Sequence, residues 1–89
     1  MPSRTVVVTN AVGLHARPAA LFVKTARQFP TTTIRVGRDG RDADARSIIG
    51  ILTLEVMQGT PITISTEGPD AEAALAAMVG IVEAGLGER

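Results

Sequence analysis

Residues 31–65 read TTTIRVGRDGRDADARSIIGILTLEVMQGTPITIS, and the changes of period along this stretch decide the fold. Thr31 to Val36 alternates, with Ile34 and Val36 pointing one way and Thr33 and Arg35 the other, as a half-buried strand requires. Asp39-Gly40 is a hairpin signal, so Arg41 to Asp44 returns as a short, polar strand. Ser47 then precedes an apolar run, Ile48 to Met57. Its length suits a helix with Ser47 as cap and Gly59 as stop. From Pro61 to Ser65 the alternation resumes, Ile62 and Ile64 against Thr63 and Ser65.

Upstream, Thr5-Val6-Val7-Val8-Thr9 is β-branched throughout and reads as a first strand, followed by a loop, Asn10 to Leu14, that contains Gly13. Ala19, Phe22, Val23, Ala26 and Phe29 then recur at helical spacing. Pro18 fits only a helix's first turn, which puts the start at His15 or Ala16, and Pro30 is the stop. Downstream, Asp70 caps a last helix with the stripe Leu75, Met78, Val79, Val82 and Leu86. The order is βαββαβα. One-faced strands and amphipathic helices predict an α+β fold, an open-faced two-layer sandwich. Four antiparallel strands carry three helices on one face.

Length and composition narrow the function. The chain has 89 residues, enough for one core and a surface site, and residues 1–89 are expected to form a single domain. Nine basic and nine acidic residues cancel, and two Phe with no Tyr or Trp offer nucleic-acid bases little to stack on. No nucleic-acid partner is expected. With no cysteine, thiolate nucleophiles and Cys-type zinc sites are excluded, and the absence of disulfide staples points to the cytoplasm. Met1 to Thr9 lacks the layout of a signal peptide, and Pro, Gly and charges interrupt every apolar stretch before it reaches membrane-spanning length. The expectation is a soluble protein with no membrane insertion. Asp39, Asp42 and Asp44 resemble the start of a calcium loop, but Thr53 stands where the closing Glu is needed, so no metal site is expected. Arg35, Arg38, Arg41 and Arg46 interleave with those carboxylates and read as the solvated surface of a hairpin.

The chemistry gathers at Gly13-Leu14-His15-Ala16-Arg17-Pro18-Ala19-Ala20. His15 is the one histidine, and it stands where a helix begins, facing free N–H groups and the positive end of the helix dipole. Such a terminus suits a phosphoryl group. Arg17 adds a fork of donors that matches phosphate oxygens, and Gly13 permits the tight approach of the loop. Neutral imidazole is a nucleophile near neutral pH, and its phosphoramidate is labile enough to hand the group on. The plain alternative is a surface histidine that merely starts a helix. A phosphohistidine enzyme would need a second proton-transfer group, and no other histidine exists.

The segment Gly13 to Ala20 resembles the active-site signature of the HPr family, the histidine-containing phosphocarriers of the bacterial phosphoenolpyruvate:sugar phosphotransferase system. Arg46-Ser47-Ile48-Ile49-Gly50 is similar to that family's regulatory-serine motif, and the Gly85-Leu86-Gly87-Glu88 ending also matches. The resemblance covers essentially the whole chain. It implies that His15 accepts a phosphoryl group on Nδ1 from enzyme I and passes it to the IIA domain of a sugar permease. Arg17 would stabilise the transferred charge. It further implies a carrier rather than an enzyme, with no cofactor, working as a monomer. Ser47 would be phosphorylated by an HPr serine kinase/phosphorylase. On position alone, Ser47 is a helix cap. The chain departs from the pattern at Val12, where relatives carry a small polar residue, and at Arg46, where Lys is common. A regulatory paralogue in a nitrogen-type phosphorelay and a non-catalytic binding module are the competing readings.

One expectation concerns docking. The run Ile48 to Met57 is apolar nearly all round, more than one sheet contact needs. With Ile51 and Leu54 inward, Ile48, Ile49 and Leu52 form an exposed patch for enzyme I and IIA. The alternative is a helix wholly buried.

Overall fold

The computed structural model describes residues 2–87. Its elements are β1 (Ser3–Val7), α1 (Ala16–Ala26), β2 (Thr33–Arg38), β3 (Arg41–Asp44), α2 (Ile48–Thr53), β4 (Pro61–Glu67) and α3 (Ala71–Glu83). The sheet runs β1-β4-β2-β3, and every neighbouring pair is antiparallel. Register aligns Val6 with Ile62, Ile64 with Val36, and Val36 with Ala43. All of these side chains are buried, so they form one apolar face. The opposite face is polar, with Thr5 and Thr63 hydroxyls 2.9 Å apart and Arg35 paired to Asp42.

The helices cover the apolar face. Ala19, Phe22, Val23 and Ala26 of α1, Ile51 of α2 and Ala74, Met78, Val79 and Val82 of α3 are buried in one core with the inward strand residues. This is the open-faced sandwich that the periodicities predict. In α3, Ala74 takes the fully buried position and Leu75 only packs at the margin. Asp70 is the N-cap of α3, but its carboxylate makes no cap bond. Its backbone N–H donates to Thr32 Oγ1 at 3.3 Å. Leu86 lies beyond α3 and is buried in a left-handed conformation (φ 54°). Glu88, quoted with the chain's ending, lies outside the described residues.

Two helices end earlier than their sequence suggests. α1 stops at Ala26, and Gln28 and Phe29 close i→i+3 turns onto Thr25 and Ala26. Pro30 bars the helical region to the residue before it, so the chain unwinds ahead of the proline. α2 stops at Thr53 instead of reaching Met57. Leu54 and Glu55 donate to Ile51 and Leu52 in a tightened last turn, and Glu55 adopts φ 54°. Val56 then leaves the helix to accept a hydrogen bond from Leu14 N–H at 3.0 Å. Gly59 serves a later turn, at φ 87°.

Gly80 is an exposed helical residue with nothing within 4 Å of an added Cβ. Gly80→Ala should therefore stabilise the fold by about 0.5–1 kcal/mol through reduced backbone freedom in the unfolded chain. A rise in Tm of a few degrees in a thermal melt is the expected result.

Candidate functional site

The loop before α1 is built by Asn10, Gly13 and Leu14. Asn10 is buried, and its Nδ2 donates to the Gly13 carbonyl at 2.8 Å while Gly13 N–H donates back to the Asn10 carbonyl at 3.2 Å. Gly13 has φ 62°, and a Cβ there would stand 2.3 Å from the Val56 carbonyl oxygen and 2.6 Å from Met57 Cα. Only glycine permits both the backbone conformation and this approach. Leu14 is buried and anchors the residue before His15 in the core.

His15 emerges from this anchored loop as the N-cap of α1, with extended backbone (φ −93°, ψ −169°) and an exposed ring. Its carbonyl accepts from Ala19 N–H at 2.7 Å, while its side chain makes no capping bond. The ring is thus left to solvent. Ala16 and Arg17 lie in the turn whose N–H groups have no intrahelical acceptor, and Pro18 has no N–H to leave unpaired. Arg17 is exposed, and among the described residues it enters none of the ion pairs. An exposed imidazole, an unengaged guanidinium two residues on and helix-end donors suit transient attachment of a phosphoryl group.

Ser47 is the N-cap of α2. Its Oγ accepts from Gly50 N–H at 3.0 Å, and its own N–H donates to the Asp44 carbonyl at 3.0 Å. Ile51 and Leu54 are buried, whereas Ile49 is 70% and Leu52 40% exposed. Ile48 differs from expectation. It is half-buried against the core and lines a groove with Ala20, Val23 and Lys24 of α1 and with Arg27, its C-cap. The first turn of α2 leans on α1, which removes Ile48 from the exposed patch.

Arginines taken for solvated surface hold α2 in place. Arg38 Nη1 donates to the Leu54 carbonyl at 2.9 Å, and Arg41 donates to the Thr53 and Leu54 carbonyls at 3.4 Å. These cations meet the negative end of α2 and satisfy carbonyls that its own turns cannot. At the other end, Arg46 donates to the Phe29 and Thr32 carbonyls, and Arg27 donates to the Arg46 carbonyl at 3.2 Å. Arg35, paired with Asp42, and Arg41, exposed beside Glu55, keep the surface reading, whereas Arg38 and Arg46 turn to backbone carbonyls.

α2 begins beside the C-terminal end of α1, and the chain leaving it reaches Gly13 and Leu14. Ile49 and Leu52 therefore lie on the stretch that joins Ser47 to the His15 loop. Val12 (48% exposed) and Met57 (67% exposed) add apolar surface around Gly13. Sequence reasoning missed both, along with the role of Asn10. Asn's preference for closing turns onto its own backbone was the one available signal.

A family model described as the PTS HPr component phosphorylation site matches residues 2–84. The chain belongs to the HPr family. The HPr-like protein Crh of Halalkalibacterium halodurans is 41% identical over 83 residues, covering 93% of this chain and 98% of that protein. The phosphocarrier protein HPr of Vibrio cholerae is also 41% identical over 83 residues, covering 93% and 96%. Among solved structures, HPr-C-His from Thermoanaerobacter tengcongensis superposes with a TM-score of 0.96 at 45% identity, covering 100% of this chain and 99% of that one. The HPr match spans both the His15 loop and the Ser47 helix.

The apolar surface of this HPr-family fold can be tested apart from its stability. Ile49→Glu changes an exposed side chain, so the melting transition should move by less than about 0.5 kcal/mol. If Ile49 meets a partner, phosphoryl transfer should fall roughly tenfold or more, the cost of losing one central apolar contact. A large loss of Tm would instead place Ile49 in the core.

Proposed function

We propose that this chain, acting as one unit over residues 1–89, is the phosphocarrier of a sugar phosphotransferase system. His15 accepts a phosphoryl group from phosphorylated enzyme I and passes it to the IIA domain of a sugar permease. The observation that carries this reading is the exposed His15 ring at the head of α1, with the Arg17 guanidinium unengaged two residues on. On charging, the ring nitrogen's lone pair forms the N–P bond as the bond from phosphorus to the donor breaks. On delivery, the N–P bond breaks, its electron pair returning to the ring, as the acceptor on IIA bonds phosphorus. The Arg17 fork and the first-turn N–H groups stabilise the negative charge on the equatorial oxygens. The chain is a substrate in both steps, requires no cofactor, and works as a monomer in the cytoplasm. Among the described residues, no helix is long and apolar enough to cross a membrane. Dimers are known among relatives, including Crh of Bacillus subtilis, so a monomeric mass in solution is part of this reading. Incubation with enzyme I and labelled phosphoenolpyruvate tests it. Acid-labile label on His15 that chases onto a IIA domain supports the reading, and no incorporation overturns it.

Ser47 joins this reading as a regulatory site modified by an HPr serine kinase/phosphorylase. A phosphate there would bring roughly −2 charges to the edge of the Ile49 and Leu52 surface. Charging of His15 should slow in Ser47→Asp, while Ser47→Ala should lose only the cap, about 1 kcal/mol of stability. Equal charging of Ser47→Asp and wild type in a labelled-phosphate time course would reduce Ser47 to a cap.

A second reading is favoured by one comparison: the phosphocarrier protein NPr of Escherichia coli and the phosphocarrier protein HPr of Cupriavidus necator are each 34% identical to this chain. In a regulatory paralogue of nitrogen type, His15 would be charged from phosphoenolpyruvate but label would not pass to a sugar-permease IIA. That single chase separates the two.

A further inference from the structure

The chain has no cysteine and three methionines. Met78 is fully buried in the core, Met1 lies outside the described residues, and Met57 is 67% exposed. Met57 also has a fixed backbone. Its N–H donates to Thr60 Oγ1 at 3.1 Å, and its carbonyl accepts from Thr60 N–H at 3.0 Å. The thioether is therefore presented to solvent from a closed turn, and that turn is the platform on which the His15 loop rests. An added Cβ on Gly13 would meet Met57 Cα at 2.6 Å, and Leu14 N–H bonds to the neighbouring Val56 carbonyl.

This position has a consequence for any phosphoryl donor. Consecutive Cα atoms are about 3.8 Å apart, so Met57 Cα stands no more than about 12 Å from His15 Cα. A specific protein partner covers about 800 Å² on each side, a disc of about 16 Å radius. A donor footprint of this size centred on His15 reaches as far as Met57, and exposed Val12 beside Gly13 adds apolar surface there.

We propose that Met57 is an oxidation site at which peroxide controls docking at His15. The inference rests on the phosphocarrier reading. A sulfur lone pair attacks the peroxide, the O–O bond breaks and an S–O bond forms. The departing hydroxide takes the proton released from the transferred oxygen and leaves as water. The sulfur is oxidised by two electrons and the peroxide reduced by two. A flexible apolar side chain becomes a polar sulfoxide within an apolar contact, and methionine sulfoxide reductase reverses the change. Met78 is shielded by the folded core and should not react.

The test treats the full chain with limiting hydrogen peroxide, maps sulfoxide by peptide mass, and then measures charging by phosphorylated enzyme I. Met57 should gain oxygen well before Met78. The oxidised protein should charge at least about fivefold more slowly, as for loss of one energetic interface contact. Reductase treatment should restore the rate. Met57→Leu keeps apolar volume without sulfur, so peroxide should leave its charging rate where it stood before treatment. Undiminished charging with Met57 fully converted overturns the proposal, as does an equal loss in Met57→Leu. Failure of the untreated protein to accept phosphate would instead overturn the phosphocarrier reading, and the docking consequence with it.

Discussion

His15→Ala should incorporate no acid-labile phosphate from enzyme I and phosphoenolpyruvate while melting within a few degrees of wild type. The loss is complete because the chain holds no second histidine to take the group. Stability should hold because the ring is exposed and makes no capping bond. The backbone carbonyl that receives Ala19 N–H survives the substitution. Substitutions at exposed positions without such partners change stability by about 0.5 kcal/mol or less. Arg17→Ala is the graded companion. A charge-assisted hydrogen bond is worth about 1.5–3 kcal/mol, which predicts roughly 10- to 100-fold slower transfer if the fork holds the phosphoryl oxygens in the transition state. Acid-labile counts on His15→Ala would sink the assignment, and an unchanged rate for Arg17→Ala would remove that residue from the mechanism.

The largest stability loss should come from Gly13→Ala. Its backbone sits at φ 62°, where an L side chain costs about 1–2 kcal/mol. The added methyl would also overlap the Val56 carbonyl oxygen, at 2.3 Å, and crowd Met57 Cα. Both are backbone atoms, so no flexible side chain can move aside, and overpacking of this kind adds about 1–3 kcal/mol. A total near 3 kcal/mol should lower Tm by well over 10 °C in a domain of this size, at about 4–8 °C per kcal/mol. Gly40→Ala is the control that separates the two terms. Gly40 also has positive φ, 79°, but a Cβ there meets nothing within 4 Å, so it should show the conformational cost alone. At temperatures where Gly13→Ala remains folded, its charging should still be slowed, because the displaced loop is the one that carries His15. Equal melting of the two variants would show that the contact with residues 56–57 is not required.

The elements were legible from the chain because their causes are local. β-Branched runs, the Asp39-Gly40 turn, Pro18 and the helical spacing from Ala19 to Phe29 each act within a few residues. They yield the order βαββαβα, and one-faced alternation yields an open sandwich. The candidate site was legible for the same reason: His15, Arg17 and the loop glycine are contiguous, as are Ser47 and its helix. What local pattern could not supply was every outcome set by distant neighbours. The length of α2 is one such outcome. Ile48 to Met57 is apolar enough for a longer helix, but Leu14 claims the Val56 carbonyl, and Arg38 and Arg41 satisfy the carbonyls of Thr53 and Leu54. Ile48 turns inward because α1 lies beside it, and Met57 turns outward because its backbone is held under the Gly13 loop. Nothing in the composition of residues 38–46 distinguishes an arginine in solvent from one that caps a helix sixteen residues away. The sequence by itself determined which elements form and which residues are the candidates for the chemistry. Tertiary packing decided where α2 ends and which apolar side chains stand exposed near the Gly13 loop, because hydrogen bonds and contacts between remote segments compete with local preference there and win.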